Sequence, residues 1–293
     1  MKENEITRKS NCDGIFYPDK NTEIISLIKN FFLKINESPK DQTHLDIVKE
    51  FIKNKKVLTF IVPHGSYLFS GYVSSFAYYL IKHANCKNYI ILSSDHNGVS
   101  PSVSVMENGC WTTPLGKVLV DNKLGSQLLQ KEAANDFIYA DHFSLEIDHT
   151  IESQLPFLQF INNNDFKFLP LLQRTQDKSS AIKLARILQS VIPEGEKLIL
   201  ITTSNLCHYL HYDDCYAKDH GLISAILSLD INSFYDFLYK NMINICGYGC
   251  IASAMEFSRL SCNFDGIMLK HQTSGDIDNN KASVVGYSSL VIL

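Results

Sequence analysis

Three histidines lie shortly after three apolar segments of the chain, where the side chains of neighbouring strands converge. His64 follows residues 57–62, His96 follows residues 88–92, and His208 follows residues 197–202. Because ligands of open α/β sheets bind beyond the carboxyl ends of the strands, we expect these histidines at one edge of a sheet. Histidine is the commonest metal ligand and a good acid or base near neutral pH. The pattern indicates a metal site, a proton-transfer site or both, although a single histidine of this kind often only packs in a loop.

A cysteine in a glycine-containing segment is a candidate for the same site. Cys246 precedes Gly247 and Gly249 at the start of a predicted helix. A helix amino terminus stabilises a thiolate, which binds soft or borderline metals and reacts with oxidants. The alternative is a small buried side chain beside a packing glycine, and this segment alone does not separate the two.

Three further segments carry polar or aromatic side chains with two interpretations each. Glu152, one turn after Asp148 and His149, either caps a helix or orients a ligating histidine through its second ring nitrogen. Asp276 either closes the pocket and binds an anion or belongs to an ordinary turn. Trp111, the single tryptophan, either lines a recognition surface in a loop-like stretch or packs in the core.

The elements that would position these residues follow an alternating pattern. Short apolar runs rich in β-branched residues alternate with stretches of helical periodicity, which predicts a single α/β domain over residues 1–293 with a mostly parallel sheet flanked by helices. The predicted strands are residues 57–62, 88–92, 166–172, 197–202, 266–271 and 282–293, and the predicted helices are residues 71–84, 151–161, 180–191, 216–229, 231–239 and 249–260.

Composition excludes several classes of protein. The chain has 293 residues, 45% of them hydrophobic, and its 27 basic and 31 acidic residues are interspersed, so a nucleic-acid partner is not expected. No apolar stretch reaches the roughly 18 residues of a membrane helix. The eight cysteines form no Cys-x-x-Cys pair, which disfavours a structural zinc site. With a polar amino terminus, these features predict a cytoplasmic protein with reduced thiols and no membrane span.

The motifs, taken in order over almost the whole chain, resemble those of the Memo family, named for a mediator of cell motility driven by ErbB-type receptor tyrosine kinases. No single motif is decisive, but their order is specific. They are Asp13-Gly14-Ile15-Phe16-Tyr17-Pro18, Pro63-His64-Gly65-Ser66-Tyr67, Trp111-Thr112-Thr113-Pro114-Leu115-Gly116, His149-Thr150-Ile151-Glu152, Cys207-His208-Tyr209, Cys246-Gly247-Tyr248-Gly249 and Ser274-Gly275-Asp276.

The resemblance implies a fold similar to that of class III extradiol (LigB-type) non-haem iron dioxygenases, in which two histidines and a carboxylate hold iron(II). In Memo proteins a cysteine stands in place of the carboxylate. Carried over to this chain, the implied metal ligands are His64, His96 and Cys246, and His208 matches the acid/base position. Asn205, Glu152, Tyr67 and Asp276 are expected to support the pocket. The family often has aspartate where this chain has Asn205. The amide of Asn205 is neutral, so it cannot supply the negative charge of an aspartate.

A thiolate in place of a carboxylate favours copper(I) and makes the site oxidisable. The resemblance therefore implies iron or copper binding linked to redox signalling or cell motility, or a pocket that recognises peptides, including phosphotyrosine segments. The alternative is an active non-haem metal oxygenase or oxidoreductase acting on a small substrate.

Overall fold

The strands that carry the predicted histidines lie side by side in one sheet. A computed structural model describes residues 6–132, 136–192 and 195–293. In chain order, the strands are β1 (Thr7–Arg8), β2 (Val57–Val62), β3 (Asn88–Ser94), β4 (Val103–Val105), β5 (Cys110–Thr113), β6 (Gly116–Val120), β7 (Ile138–Ala140), β8 (Lys167–Gln173), β9 (Leu198–Thr203), β10 (His208–Leu210), β11 (Gly266–Thr273) and β12 (Val284–Ile292).

Helices pack around this sheet. They are α1 (Asn21–Asn36), α2 (Pro39–Ile52), α3 (Tyr67–Ala84), α4 (Asn122–Glu132), α5 (His142–Glu146), a 3-10 turn (Glu152–Gln154), α6 (Leu155–Asn162), α7 (Lys178–Ser190), α8 (Tyr212–Leu227), α9 (Ile231–Lys240), α10 (Tyr248–Leu260) and α11 (Gly275–Asp278). Among the residues that the structure describes, none of these helices combines the length and the apolar character needed to cross a membrane.

The central strands run parallel in the order β6-β8-β3-β9-β2. β12 adds antiparallel to β2, and β10 and β11 pair antiparallel with β12. β3 and β9 are buried along nearly their whole length, as expected for parallel strands covered by helices on both faces. The predicted single-domain α/β fold class with a mostly parallel sheet is confirmed.

The register of the sheet explains why the histidines converge. Thr203, the last residue of β9, pairs with Val62 at the end of β2 and with Ser93 near the end of β3. The carboxyl ends of the three strands are therefore level at one edge. His64 and His96 come two residues after β2 and β3 end, which brings both to that edge.

The segment around Trp111 is a β-hairpin and not the loop that the sequence suggested. Residues 110–120 form a hairpin of β5 and β6, and the Trp111 indole is fully buried and donates its N–H to the sulfur of Met106 at 3.1 Å. Cys110, Trp111 and the threonines that follow have high β propensity, so Pro114 marks the turn and not a longer loop. Of the two interpretations of Trp111, the structure supports the core one.

Candidate metal centre

His64, His96 and Cys246 meet at the edge of the sheet. One potential ligand atom from each residue lies within 4.8 Å of the other two. His64 Nε2 is 3.2 Å from Cys246 Sγ, and the imidazole rings of His64 and His96 have centroids 4.9 Å apart. His64 is buried, Cys246 is half-buried and His96 is exposed, so the group opens to solvent on the His96 side.

The hydrogen bonds of His64 fix which ring nitrogen faces the thiol. His64 Nδ1 lies 2.9 Å from the Thr203 hydroxyl, and that hydroxyl donates its own proton to Ser93 Oγ at 2.8 Å. Thr203 therefore accepts from His64 Nδ1–H. The lone pair of His64 is left on Nε2, toward Cys246, which is the tautomer that a metal ligand needs.

His96 is oriented in the same way by its own loop. His96 Nδ1 donates to the carbonyl oxygen of Ser94 at 2.9 Å, which leaves Nε2 as the free nitrogen. The loop itself is held by the Asp95 carboxylate, which accepts backbone N–H bonds from Gly98 at 3.0 Å and Ser100 at 2.7 Å. Both histidines thus present Nε2, with Nδ1 bonded to the protein.

Cys246 is positioned by a close approach between two segments. Gln176 donates from Nε2 to the carbonyl of Cys246 at 3.1 Å and accepts from the backbone N–H of Gly249 at 3.0 Å. A Cβ at position 249 would lie only 2.5 Å from the Cα of Gln176, so glycine is required there. The thiol then sits one residue before Gly247, the N-cap of α10.

Two more histidines lie beside this group. The ring of His149 has its centroid 5.3 Å from that of His96 and packs 5.1 Å from that of Phe16. His208 lies on β10, where burial lowers its pKa and repulsion from protonated His64 and His96 adds to the effect. The sequence carries one signal for His149 as a neighbour of the centre, which is a fourth histidine directly before the predicted helix 151–161.

The four residues expected to support the pocket lie in different places. Asn205 accepts the backbone N–H of His64 through Oδ1 at 3.2 Å, and Tyr67 is buried and donates its hydroxyl to the carbonyl of Ser153 at 2.7 Å. The Asp276 carboxylate accepts from the hydroxyls of Tyr212 at 2.6 Å and Tyr216 at 2.8 Å, and it bonds no candidate ligand among the described residues.

Glu152 joins the amino-terminal segment to the site region. Its fully buried carboxylate forms an ion pair with Arg8 and accepts from the hydroxyl of Tyr17 at 2.5 Å. The same carboxylate accepts the backbone N–H groups of Asn11 and Cys12, both at 2.9 Å. These contacts differ from both predicted roles of Glu152, which were to cap its own helix or to orient a histidine.

Comparisons with known proteins show the family of this chain. A family model described as Memo-like protein matches residues 8–291. This chain belongs to the Memo family. MEMO1 family proteins from Thermoplasma volcanium and Nitrosopumilus maritimus are each 32% identical to it, over 98% of both chains for the first and over 97% of this chain and 99% of the relative for the second. An uncharacterized protein, JW3007 from Escherichia coli K12, has a similar fold, with a TM-score of 0.54, 11% identity, and coverage of 80% of this chain and 99% of that one.

The donor set in this Memo-family chain fits a transition metal. Two imidazole nitrogens and a thiolate suit iron, copper or zinc, and three protein ligands leave a coordination position for water or substrate. Hydrogen bonds hold both imidazoles in the ligating tautomer, as in known metal sites. The geometry supports a His/His/Cys metal site without specifying the metal.

Acid should destabilise the metal-free protein through His64. Burial lowers the pKa of His64 to about 4. The unfolded chain takes up a proton near pH 6.5 while the folded protein does not, so stability should fall as pH decreases from 6.5 to 4, by on the order of 3 kcal/mol. Urea unfolding with a chelator should show a smaller loss over this range for His64→Gln. The exposed His211→Gln should behave like the unmodified protein, and equal pH dependence in all three would contradict the prediction.

Adding charge at position 205 should strengthen metal binding in this Memo-family chain. Asn205→Asp keeps an acceptor for the His64 N–H and adds a carboxylate charge beside the three ligands. We expect the affinity for a divalent ion to rise about tenfold, or about 1.4 kcal/mol. Iron(II) titration should show the gain, with Asn54→Asp on an exposed turn as the control. Equal gains in both variants would mean that only net charge matters.

Proposed function

We propose that this chain is a redox-active metal-binding protein that holds iron or copper through His64, His96 and Cys246. The observation that carries the proposal is the 3.2 Å separation of His64 Nε2 and Cys246 Sγ, together with the commitment of both histidine Nδ1 atoms to protein acceptors. The bound metal would supply electron transfer and Lewis acidity. His208, half-buried beside the centre, would hold or move a proton.

In cellular terms, we propose a role in redox-linked signalling or cell motility, with one Memo-like domain spanning residues 1–293. A thiolate ligand remains available only while it is reduced, so the proposal places the protein in a reducing compartment such as the cytoplasm. All eight cysteines are free thiols, which supports that placement.

Anaerobic purification followed by elemental analysis tests the metal proposal. The unmodified protein and a His64→Ala, Cys246→Ala double variant would be analysed side by side, with iron(II) and copper(I) each titrated into the apo proteins. We expect the unmodified protein to bind about one equivalent more of iron(II) or copper(I) than the double variant. If both proteins stay metal-free at micromolar metal, the metal proposal fails.

The second candidate is an active oxygenase or oxidoreductase on a small substrate. The His149 ring favours this candidate, because its centroid lies 5.3 Å from that of the His96 ring and it would place a second acid or base beside an open coordination position. Oxygen uptake by the iron(II)-loaded protein would be measured with catechols as probes. Uptake that depends on both the probe and His208 would support this candidate, and the absence of turnover with bound iron would exclude it for that substrate class.

Recognition of a partner peptide, including a phosphotyrosine segment, is the third candidate. Large apolar side chains adjoin the candidate residues in sequence and stay exposed, including Leu68 (68%) after the His64 loop and Tyr209 (79%) after His208. Contiguous exposed apolar patches mark interaction sites, so this candidate requires Leu68 and Tyr209 to contribute to one binding surface. Calorimetry with phosphorylated and unmodified peptides, in unmodified protein and Tyr209→Ser, tests it. Binding that ignores Tyr209→Ser would argue against it.

A further inference from the structure

A buried carboxylate-histidine pair lies away from the candidate centre, between α8 and β11. Asp219 is fully buried, and the side chain of His271 is 3% exposed. His271 Nε2 donates to Asp219 Oδ2 at 2.8 Å. In the neutral imidazole, this bond places the proton on Nε2 and the lone pair on Nδ1. Nδ1 is buried and has no hydrogen-bond partner among the described residues, which for a polar atom is costly unless something binds it.

His271 lines a surface cavity of about 330 Å³ together with His44, Tyr216, His220 and Lys270. The ring of His220, an exposed residue of α8, has its centroid 5.4 Å from that of His271. The Tyr216 ring closes the group, with its centroid 4.8 Å from that of His271. The cavity thus sets one buried and one exposed imidazole side by side.

Three other polar side chains of the cavity have partners. His44 Nε2 bonds the carbonyl of Met268 at 3.0 Å, the Tyr216 hydroxyl donates to Asp276 at 2.8 Å, and Lys270 Nζ lies 3.3 Å from the Asp41 carboxylate. His220 and His271 each keep an uncommitted electron pair, as does Nδ1 of His44, because its Nε2 donates to that carbonyl. The negative charge of Asp219 behind His271 favours a cation at its free nitrogen.

We propose that His220 and His271 form a second metal site, for a divalent transition ion that prefers imidazole nitrogen, with water in the remaining positions. A metal bound to an imidazole nitrogen at about 2.0–2.1 Å lies about 3 Å from the ring centre, so two imidazoles that share an ion have ring centres up to about 6 Å apart. The observed 5.4 Å lies within that limit. Rotation of the exposed His220 side chain completes the site.

Asp219 also connects this site to the candidate centre. Its Oδ1 accepts the backbone N–H of Cys207, the residue before His208, at 3.0 Å. A Cβ at position 286 would overlap the Asp219 carboxylate, so Gly286 of β12 lets the carboxylate approach β12 closely. A cation bound to His271 would draw electron density from Asp219. It would therefore alter the hydrogen bond that Asp219 accepts from Cys207, the residue before His208.

Zinc(II) titration in a background that lacks the first centre tests the proposal. The full chain carrying His64→Ala and Cys246→Ala, with its thiols kept reduced, would compete for zinc with a chromophoric chelator. We expect about one equivalent bound, with chemical-shift changes of the His220 and His271 imidazoles in NMR spectra. His220→Ala, at an exposed position, should weaken binding at least tenfold, whereas the exposed control His83→Ala should leave it unchanged.

A conservative variant separates loss of the ligand from loss of folding. His271→Gln places its amide N–H near the position of Nε2, where it can donate to Asp219, and removes the Nδ1 lone pair, so it should abolish binding while circular dichroism stays unchanged. Zinc binding that persists in both His220→Ala and His271→Gln, or no binding in the background protein, overturns the proposal. Because the background lacks Cys246, neither outcome bears on the first centre.

Discussion

A Cys246→Asp variant is expected to lose copper(I) and retain iron(II). The substitution converts two histidines and a thiolate into two histidines and a carboxylate, a set that holds iron(II) with open positions. Copper(I) prefers soft sulfur ligands, so its affinity should fall by more than about 100-fold, or about 2.8 kcal/mol. Iron(II) affinity should change by less than about tenfold, or about 1.4 kcal/mol. Competition titrations under argon measure both.

The control for this exchange is the exposed cysteine of the chain. Cys262→Asp makes the same chemical change away from the centre and should leave both affinities unchanged. A parallel loss of both metals in Cys246→Asp would show that the longer carboxylate side chain does not fit as a ligand at this position. Unchanged copper(I) affinity would show that Cys246 is not a ligand.

The largest loss of stability is expected from Glu152→Gln. The carboxylate charge balances Arg8, which is 1% exposed, lies 4.3 Å from the Trp111 ring and bonds the carbonyl of Asp148. Removing one partner of a buried ion pair leaves the other charge uncompensated, at a cost of about 3–5 kcal/mol. Urea unfolding of the metal-free protein should show this loss, and the exposed pair Lys20 and Glu23 supplies the control, with a change below about 1 kcal/mol for Glu23→Gln.

The effect of Glu152→Gln should depend on pH. Burial alone would raise the pKa of Glu152, but the Arg8 guanidinium and the Tyr17 hydroxyl together hold it below its usual value. A carboxylate with a lowered pKa stabilises the folded state above the unfolded pKa, and that contribution disappears as pH falls through the folded pKa. The two proteins should therefore converge in stability in acid. A constant difference down to pH 3 would mean that shape, not charge, sets the cost.

The alternation of apolar segments was enough to predict the central sheet and the edge at which His64 and His96 lie. β2 has the predicted bounds, 57–62, and β3 and β9 end within two residues of the prediction. These strands are buried on both faces, so their apolar runs are continuous and easily detected. His64 and His96 were accessible to the same reasoning because each lies directly beyond a central strand, whereas Cys246 was a candidate because it lies at the start of a predicted helix.

The remaining parts of the site depend on contacts between distant segments. The hydrogen bond that His64 donates to Thr203 has no local sequence signature, and neither do the two hydrogen bonds that Gln176 makes with Cys246 and Gly249. The amino-terminal contacts of Glu152 also cross more than a hundred residues, as its 144-residue separation from Arg8 shows. Capping and ligand orientation were reasonable local interpretations, but a buried arginine on the first strand was the partner that decided the role of Glu152.

The wide spacing of the ligands has a consequence for how the protein is made. His64 and Cys246 lie 182 positions apart, and β12, which pairs with β2 on one side, follows both of them in the sequence. The ribosome must therefore synthesise the long segment between the two proposed ligands before they can meet. A metal at the proposed centre would not template the early steps of folding, as it does in small zinc modules where the ligands are close together. It would instead be loaded onto a finished scaffold, so its supply would set the metal content without limiting the yield of folded protein.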